Sequence, residues 1–597
     1  MKNIKNISIV AHINHGKSTL VTRLTEICKK IKIDKSNEQL LDSMDLEKER
    51  GITIKAQCLT LNYTLNDEIY TLNIIDTPGH IDFSFEVNRS LIACQGIVLL
   101  IDITKGIQAQ TLSNYKKALE NNLNIIIAIN KIDVLSYKLD ELKNEIVSIF
   151  NVKKEEINEI SAKTGYGVEN LIKVIINKIK EHNGSTSNPL EAIIIDAWFN
   201  KYTGINCLIY IKNGTILKND KILMCSNKKI FKVTELGIFC PEKINKCNLN
   251  AGDIGFIIFG CKKLNDITIG DIITHQINPT KNTIKELKKI NPSVFASIYP
   301  INADNFTELK NAIEKLSIND SSFIYTIQNS NVFGFGFKCG FLGVLHMEIV
   351  QERLEREYNL KIIITPPSVV FEIKYKNEKT EYINNPNEIS DISQIKEMKE
   401  PIALVRIITQ IKYLGKVTEL CNNSRGKVKE INNKYTDTII EYEIPLNEIL
   451  FNFFKNLQNI TSGFCSFDYE FLEYRKSNLT TLAIIINNKK IDTLEFIIHK
   501  DHAHKIAKNI IEKMEKVIQK QLFDIKIQAV VGKKIIAKTS IKALKKNVLA
   551  KCYGGDISRK KKLIKKQKEG KKRLKKIGNI DIPQNAFLSI MNINKNN

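Results

Sequence analysis

Near its amino end the chain changes hydrophobic period once. Ile7, Ile9 and Val10 form an apolar run, Ala11 to Ser18 interrupt it, and Leu20, Val21, Leu24 and Ile27 resume at helical spacing. Strand, loop and helix are predicted in that order. The alternating Tyr70 to Ile75 predicts a strand ending at Asp76, and Ile125 to Ile129 predicts a buried strand ahead of Asn130. After the polar stretch His182 to Pro189, short alternating segments with turn signals at Asn213-Gly214, Gly252-Asp253 and Gly270-Asp271 predict an all-β barrel over 190–285. Residues 291–366 and again 400–478 read strand, helix, strand, strand, helix, strand, the split βαβ plan of ferredoxin-like domains. The short stretch 367–399 between them reads as a linker. A basic α+β domain is expected over 480–597, and an α/β domain over 1–186.

Composition narrows the class without naming a function. At 597 residues, 43% hydrophobic and 26% charged, the chain exceeds what one core organises and sits in the ordinary soluble range. No apolar run approaches the length of a spanning helix. Twelve cysteines without a C-x-x-C pair, and a start that runs straight into a motif without a cleavable signal, predict reduced thiols in a cytosol. The net charge of +24 is discounted, because Lys, Asn and Ile are over-used throughout. Only local clustering counts, and Arg559 to Lys576 supplies it with twelve basic residues against Glu569.

The interruption at Ala11 fits G-x-x-x-x-G-K-[ST] except for Ala in place of the first Gly. In that geometry the backbone N–H groups of Ala11, His12, Ile13, Asn14, His15, Gly16, Lys17, Ser18 and Thr19 surround phosphates. Lys17 reaches the outer ones, and the Ser18 hydroxyl binds Mg2+. Arg50-Gly51-Ile52-Thr53-Ile54 follows a charged segment, Asp45 to Arg50, that reads as a mobile loop; Thr53 offers the metal a second hydroxyl. Asp76, at a strand's carboxyl end, is placed to hold the metal through water, and Asp76-Thr77-Pro78-Gly79-His80 follows from it. Asn130-Lys131-Ile132-Asp133 supplies base specificity, since a carboxylate accepts two hydrogen bonds from guanine that adenine cannot donate. Ser161-Ala162-Lys163 closes over the guanine carbonyl. Five motifs in one order, each at a strand end, predict a P-loop GTPase G domain using GTP and Mg2+.

These forms, A-H-I-x-H-G-K-S-T, R-G-I-T-I, D-T-P-G-H and N-K-I-D, resemble those of the translational GTPases. The segment Ala550 to Lys562, with Lys566 to Arg573 beyond it, closely resembles the carboxyl domain of the elongation factor 4 (LepA) family. The resemblance runs from residue 1 to about Phe587. It implies a ribosome-dependent GTP hydrolase promoting back-translocation and accurate synthesis under stress, with His80 orienting the attacking water once large-subunit RNA docks beside it. Ile13 and Ile52 would flank His80 as an apolar gate, with Thr53 and Gly79 in the moving switches. Arg559, Lys560, Lys561, Lys562, Lys571, Lys572 and Arg573 would contact ribosomal RNA and tRNA. The implied partners are both ribosomal subunits, the chain acting as a cytoplasmic monomer with a peripheral pool on anionic membrane. Asn14 stands where the family usually has Asp, which predicts retained guanine selectivity and a weakened monovalent-cation site. Elongation factor G would need a further domain in 367–399 and an insertion between Asp133 and Ser161. Neither gap has room for one.

Other signals favour plain structural readings. Phe333-Gly334-Phe335-Gly336-Phe337-Lys338 resembles a base-stacking strand, yet alternating aromatics more often fill a core. His499, His502 and His504 beside Asp501 could ligate a metal, but solvated turn histidines fit better where a strand passes into the helix Ala503 to Ile518. Two other functions compete with the ribosomal hydrolase: a GTP-sensing RNA-binding factor for ribosome assembly or initiation with weak hydrolysis, and a membrane-surface protein held by its basic tail.

Overall fold

The computed structural model describes residues 3–29, 45–50, 53–134, 139–200, 202–261, 267–280, 292–320, 322–330, 333–389, 394–434, 437–450, 453–532, 534–544 and 557–577. Ile52 and the Ala550 to Asp556 part of the carboxyl motif lie outside this set.

The amino-terminal domain contains β1 (Ile4–Ala11), α1 (Lys17–Lys29), α2 (Asp45–Arg50), β2 (Gln57–Leu65), β3 (Glu68–Asp76), α3 (Ser84–Ile92), β4 (Gly96–Asp102), α4 (Ala109–Glu120), β5 (Asn124–Asn130), α5 (Leu139–Phe150), β6 (Asn158–Glu159) and α6 (Val168–Lys178). Its six-stranded sheet has the order β2-β3-β1-β4-β5-β6, with only β2 running antiparallel to its neighbour. A parallel sheet covered on both faces buries whole strands, which is why β4 is an almost wholly apolar run and β1 is buried even at Lys5, Asn6 and Ser8. The register pairs Ile9 with Asp76 and Val98, so Ala11, Asp76, Asp102 and Asn130 finish their strands along one edge. Ligands of such sheets bind there.

A seven-stranded antiparallel sheet follows, Glu191–Asn200 to Ile272–His275, closed by pairing of Lys221–Met224 with Ile230–Cys240. The predicted turns need their glycines: Gly214, Gly252 and Gly270 have φ of 80°, 95° and 88°. The next sheet carries Val294–Pro300, Ile324–Ser330, Gly334–Phe341 and Ile362–Ile364 with helices Phe306–Asn319 and Val344–Arg356. The first strand lies between the third and fourth, as the split βαβ plan requires. Phe337 is fully buried and stacks on Phe306, whereas Phe335, two residues earlier on the same face, is exposed and tilts against the edge of the same Phe306 ring.

A second sheet of the same plan is built on the long strand Ile395–Gln410, with Lys427–Lys434, Asp437–Pro445 and Cys465–Lys476. Residues expected as a linker differ from a loop: Phe371–Tyr375 and Thr380–Ile383 are strands that extend this sheet along Ile395–Gln410. The alternation Phe371, Ile373, Tyr375 buries one face, a period too short to read as a strand from sequence. Both split sheets share one core, from Val294 and Phe337 through Phe371 to Ala403, Tyr442 and Phe467. A final four-stranded sheet, Leu479–Ile486 to Lys534–Ile541, packs on helix Ala503–Val517 and takes Tyr299 and Ile363 of the third domain into its core. The basic run forms helix Ile557–Ile577. No helix among the described residues is long and apolar enough to cross a membrane.

Candidate functional site

The phosphate loop turns on two backbone choices. Asn14 and Gly16 have φ of 64° and 90°, and a Cβ on Gly16 would lie 2.4 Å from Asn130 Nδ2. The place of Asn130 therefore requires a residue without a side chain at Gly16. The Asn130 amide joins three motifs: Nδ2 donates to His15 O at 2.9 Å, and Oδ1 accepts from Ala162 N at 2.9 Å. Lys131 Nζ reaches Asn14 O at 2.9 Å and Asp102 Oδ2 at 2.7 Å, which ties the base-recognition loop to the phosphate loop a second time. Ser161 Oγ donates to Asp133 Oδ1 at 2.6 Å, orienting an exposed carboxylate while leaving its other oxygen for a base edge. Lys163 is exposed beside it, and Ile132 is half-buried.

Lys17 contacts both metal-side residues at once, Thr53 Oγ1 at 2.8 Å and the Asp76 carboxylate. Asp76 is fully buried, and its Oδ2 has no hydrogen-bond partner among the described residues. A buried, half-satisfied carboxylate beside a hydroxyl suits a hard divalent ion, so Asp76 and Thr53 fit Mg2+, with Ser18 next to Lys17 at the start of α1. Bound there, the ion would neutralise phosphate charge.

The two loop histidines do not present their rings to a phosphate. His15 is buried, its Nδ1 between Leu100 O at 3.4 Å and Asp102 N at 3.3 Å, and burial pushes its pKa down to about 3. His12 meets Gln110 and is pushed down to about 4, again by burial first. Both are neutral at pH 7, so Lys17 carries the loop's side-chain positive charge toward phosphate.

His80 follows Gly79, where a Cβ would stand 3.1 Å from Ala11 O, so the switch passes close over the phosphate loop. His80 Nδ1 accepts from Asp82 N at 3.1 Å, which assigns the neutral ring's proton to Nε2. Burial lowers its pKa below the ordinary value, opposed by the Asp82 and Glu348 carboxylates. The ring faces a cleft of 1640 Å³ shared with His12, Ile13 and Asn14 on one wall and Lys412, Phe464 and Tyr469 on the other.

The segment Asp45 to Arg50 is a helix instead of the expected loop. Leu46 and Glu47 are buried, and Glu47 Oε1 accepts from Ile54 N at 2.9 Å and Lys55 N at 3.2 Å. Charge reads as solvent exposure in one dimension; here Arg50 pairs with Glu348 and Glu352, and Glu49 with Arg356 at 2.7 Å, all on the third domain. No arginine among these points at the phosphate side. Arg23 also escaped sequence reading: its Nε and Nη2 hold the Ala162 and Lys163 carbonyls at 3.1 and 2.7 Å. No motif marks it, because its partners are backbone atoms.

Glu86 on α3 carries a carboxyl buried against the third domain, and burial pushes it up to about 8 despite Arg89. A folded pKa above the ordinary 4.5 means protonation favours the fold. That contribution is full below pH 4.5, is lost as pH rises toward 8, and is absent above it. Glu86→Gln is expected to raise Tm at pH 8 by about 2 °C and to flatten its pH dependence, read by calorimetry. An unchanged profile would refute the buried-acid assignment.

In the basic helix Lys560 is half-buried and Lys561 and Lys562 exposed. Arg559, Lys571, Lys572 and Arg573 lie on the same helix, their side chains outside the described set. Among the described residues no group of His, Cys, Asp and Glu is placed to hold a metal. His499 instead accepts from Asp501 N at 3.4 Å and His502 approaches Glu448 at 3.7 Å.

Comparison with known proteins agrees with this layout. Residues 2–181 match the family described as elongation factor Tu GTP binding domain. Residues 397–484 match elongation factor G C-terminus, and 486–592 match GTP-binding protein LepA C-terminus. Among solved structures, a crystal structure of a protein from Thermus thermophilus aligns at TM-score 0.57 and 13% identity, over 80% of this chain and 97% of that one. At that identity the likeness concerns the fold alone. With a GTP-binding domain, an elongation factor G carboxyl module and a LepA carboxyl module in this order, the chain belongs to the GTP-hydrolysing translational GTPases of the elongation factor 4 (LepA) family.

Proposed function

We propose that the protein is a ribosome-dependent GTPase that promotes back-translocation and accurate protein synthesis under stress, and that His80 orients the attacking water. The observation that carries this is the placement of His80: neutral, hydrogen-bonded at Nδ1, and facing an open cleft beside the phosphate loop. Lys17 and the Mg2+ held by Asp76 and Thr53 supply the chain's own charge to the phosphates, and a docked partner would complete the stabilisation. Lys412 and Phe464 on the far wall give that partner a cation and an aromatic ring. Asp133 reads guanine, Ser18, Thr53 and Asp76 hold Mg2+, and the helix with Lys560, Lys561 and Lys562 meets ribosomal RNA and tRNA.

The test is GTP turnover by purified protein with and without ribosomes, in potassium and in sodium buffers. Stimulation by ribosomes is expected, with little difference between the salts because Asn14 carries no charge. Turnover that ignores ribosomes in both salts would favour the GTP-sensing assembly factor instead. Deleting residues beyond Gly554 is expected to spare GTP binding and weaken tRNA or ribosome binding; unchanged binding would refute the role given to the basic helix.

A further inference from the structure

Asp82 lies two residues beyond His80 and belongs to none of the sequence motifs, yet it is 5% exposed and satisfied almost wholly by other domains. Its Oδ2 accepts from Leu345 N at 2.9 Å and His346 N at 3.3 Å, the second and third residues of helix Val344–Arg356. Tyr469 O–H, from the second split βαβ domain, reaches Oδ1 at 3.4 Å. A helix start leaves its first N–H groups without intrahelical partners, and a carboxylate there satisfies them and suits the helix dipole. The residue at the cap position itself is Gly343, which has no side chain to do this. A Cβ on Gly343 would stand 2.2 Å from the Asp82 carboxylate, so the glycine admits a cap supplied from another domain.

The same helix holds both switches. Ile349 packs with Leu46 and Ile54 of the first switch and Phe83 of the second, and Glu348, Glu352 and Arg356 pair with Arg50 and Glu49. At the other end of Asp82, its backbone N–H fixes His80 Nδ1. We propose that Asp82 is a positioning residue for GTP hydrolysis: its carboxylate docks the third domain's helix while its N–H sets the His80 ring, so that ring orientation depends on that docking. This rests on the reading of His80 given above.

The test measures ribosome-stimulated kcat, GTP affinity and hydrogen exchange at the Leu345 and His346 amides in full-length variants. Asp82→Ala is expected to lower kcat about 10- to 100-fold, the scale of a misplaced catalytic group. GTP affinity should stay within about twofold, and the two amides should lose protection. Gly343→Ala, far along the chain in another domain, should give the same losses, and the double variant should be no slower than the worse single one. Asp82→Asn, whose amide oxygen still caps, should return kcat to within about threefold of wild type. If an alanine variant does not fold, Asp82→Glu keeps the charge, moves the carboxylate by one methylene, and should lower kcat with GTP affinity unchanged. Multiplying losses, a wild-type rate in Gly343→Ala with its amides deprotected, or a wild-type rate in Asp82→Glu would overturn the proposal. His80→Ala run alongside separates the two readings. Wild-type turnover there would sink the role of His80, whereas loss there with wild-type turnover in Asp82→Ala would sink only the role of Asp82.

Discussion

Replacing His80 with alanine is expected to lower ribosome-stimulated kcat by about 10²- to 10⁴-fold, the range for removing a group that handles or orients the reacting proton. GTP affinity should hardly change, because the ring's hydrogen bond among the described residues is to Asp82 N and its ring contact is to Phe83, neither assigned to nucleotide binding. The pH dependence carries the sharper information. Burial lowers the His80 pKa below its ordinary value, against the pull of Asp82 and Glu348, so an acid limb in turnover due to this ring should lie at lower pH than for an exposed histidine. A glutamine at the same place keeps a donor and acceptor but not the ring geometry and should recover only part of the loss. Single-turnover hydrolysis with ribosomes in excess isolates this step; an alanine variant within about threefold of wild type would refute the assignment.

Gly16→Ala is expected to weaken GTP binding by about 100-fold or more. The backbone there has φ of 90°, a region that costs an L-residue about 1–2 kcal/mol. Space adds to this, since the new methyl would lie 2.4 Å from Asn130 Nδ2. Displacing that amide breaks its bonds to His15 O and Ala162 N, and a buried polar group left unpaired costs about 1–3 kcal/mol. The sum reaches about 3 kcal/mol, or about 100-fold in Kd. The contrast is Ala11→Gly, which restores the commoner first glycine at a buried strand end and should cost under about 1 kcal/mol. Nucleotide titration calorimetry on both variants decides it. Near-wild-type affinity in Gly16→Ala would mean that the loop relaxes without Asn130.

Sequence reading reached furthest where one motif sits on one strand end. Ala11, Asp76 and Asn130 finish their strands on one edge because β1, β3 and β5, apolar or alternating toward their carboxyl ends, run parallel in one covered sheet. What it missed joins segments far apart in the chain. Asp45 to Arg50 reads as solvated because its partners, Glu348, Glu352 and Arg356, lie far along the chain, and a helix of that length is set by its tertiary contacts. Arg23 and Asp82 bind backbone atoms, which leave no trace in residue identity. The strands at 371–375 and 380–383 are short and belong to a sheet whose central strand comes later in the chain.

The shared core of the two split βαβ domains, together with Tyr299 and Ile363 reaching into the last sheet, makes residues from Val294 to Ile541 a single lever. Interiors packed at crystal density do not flex smoothly, so such a body swings as a whole or not at all. Its pivot is where the helix Val344–Arg356 meets Asp82 and α2. A small rotation at that fulcrum would be multiplied along the arm. With the carboxyl-terminal sheet packed onto the third domain through Tyr299 and Ile363, a rotation at that helix would displace the sheet without any signal passing residue by residue between them.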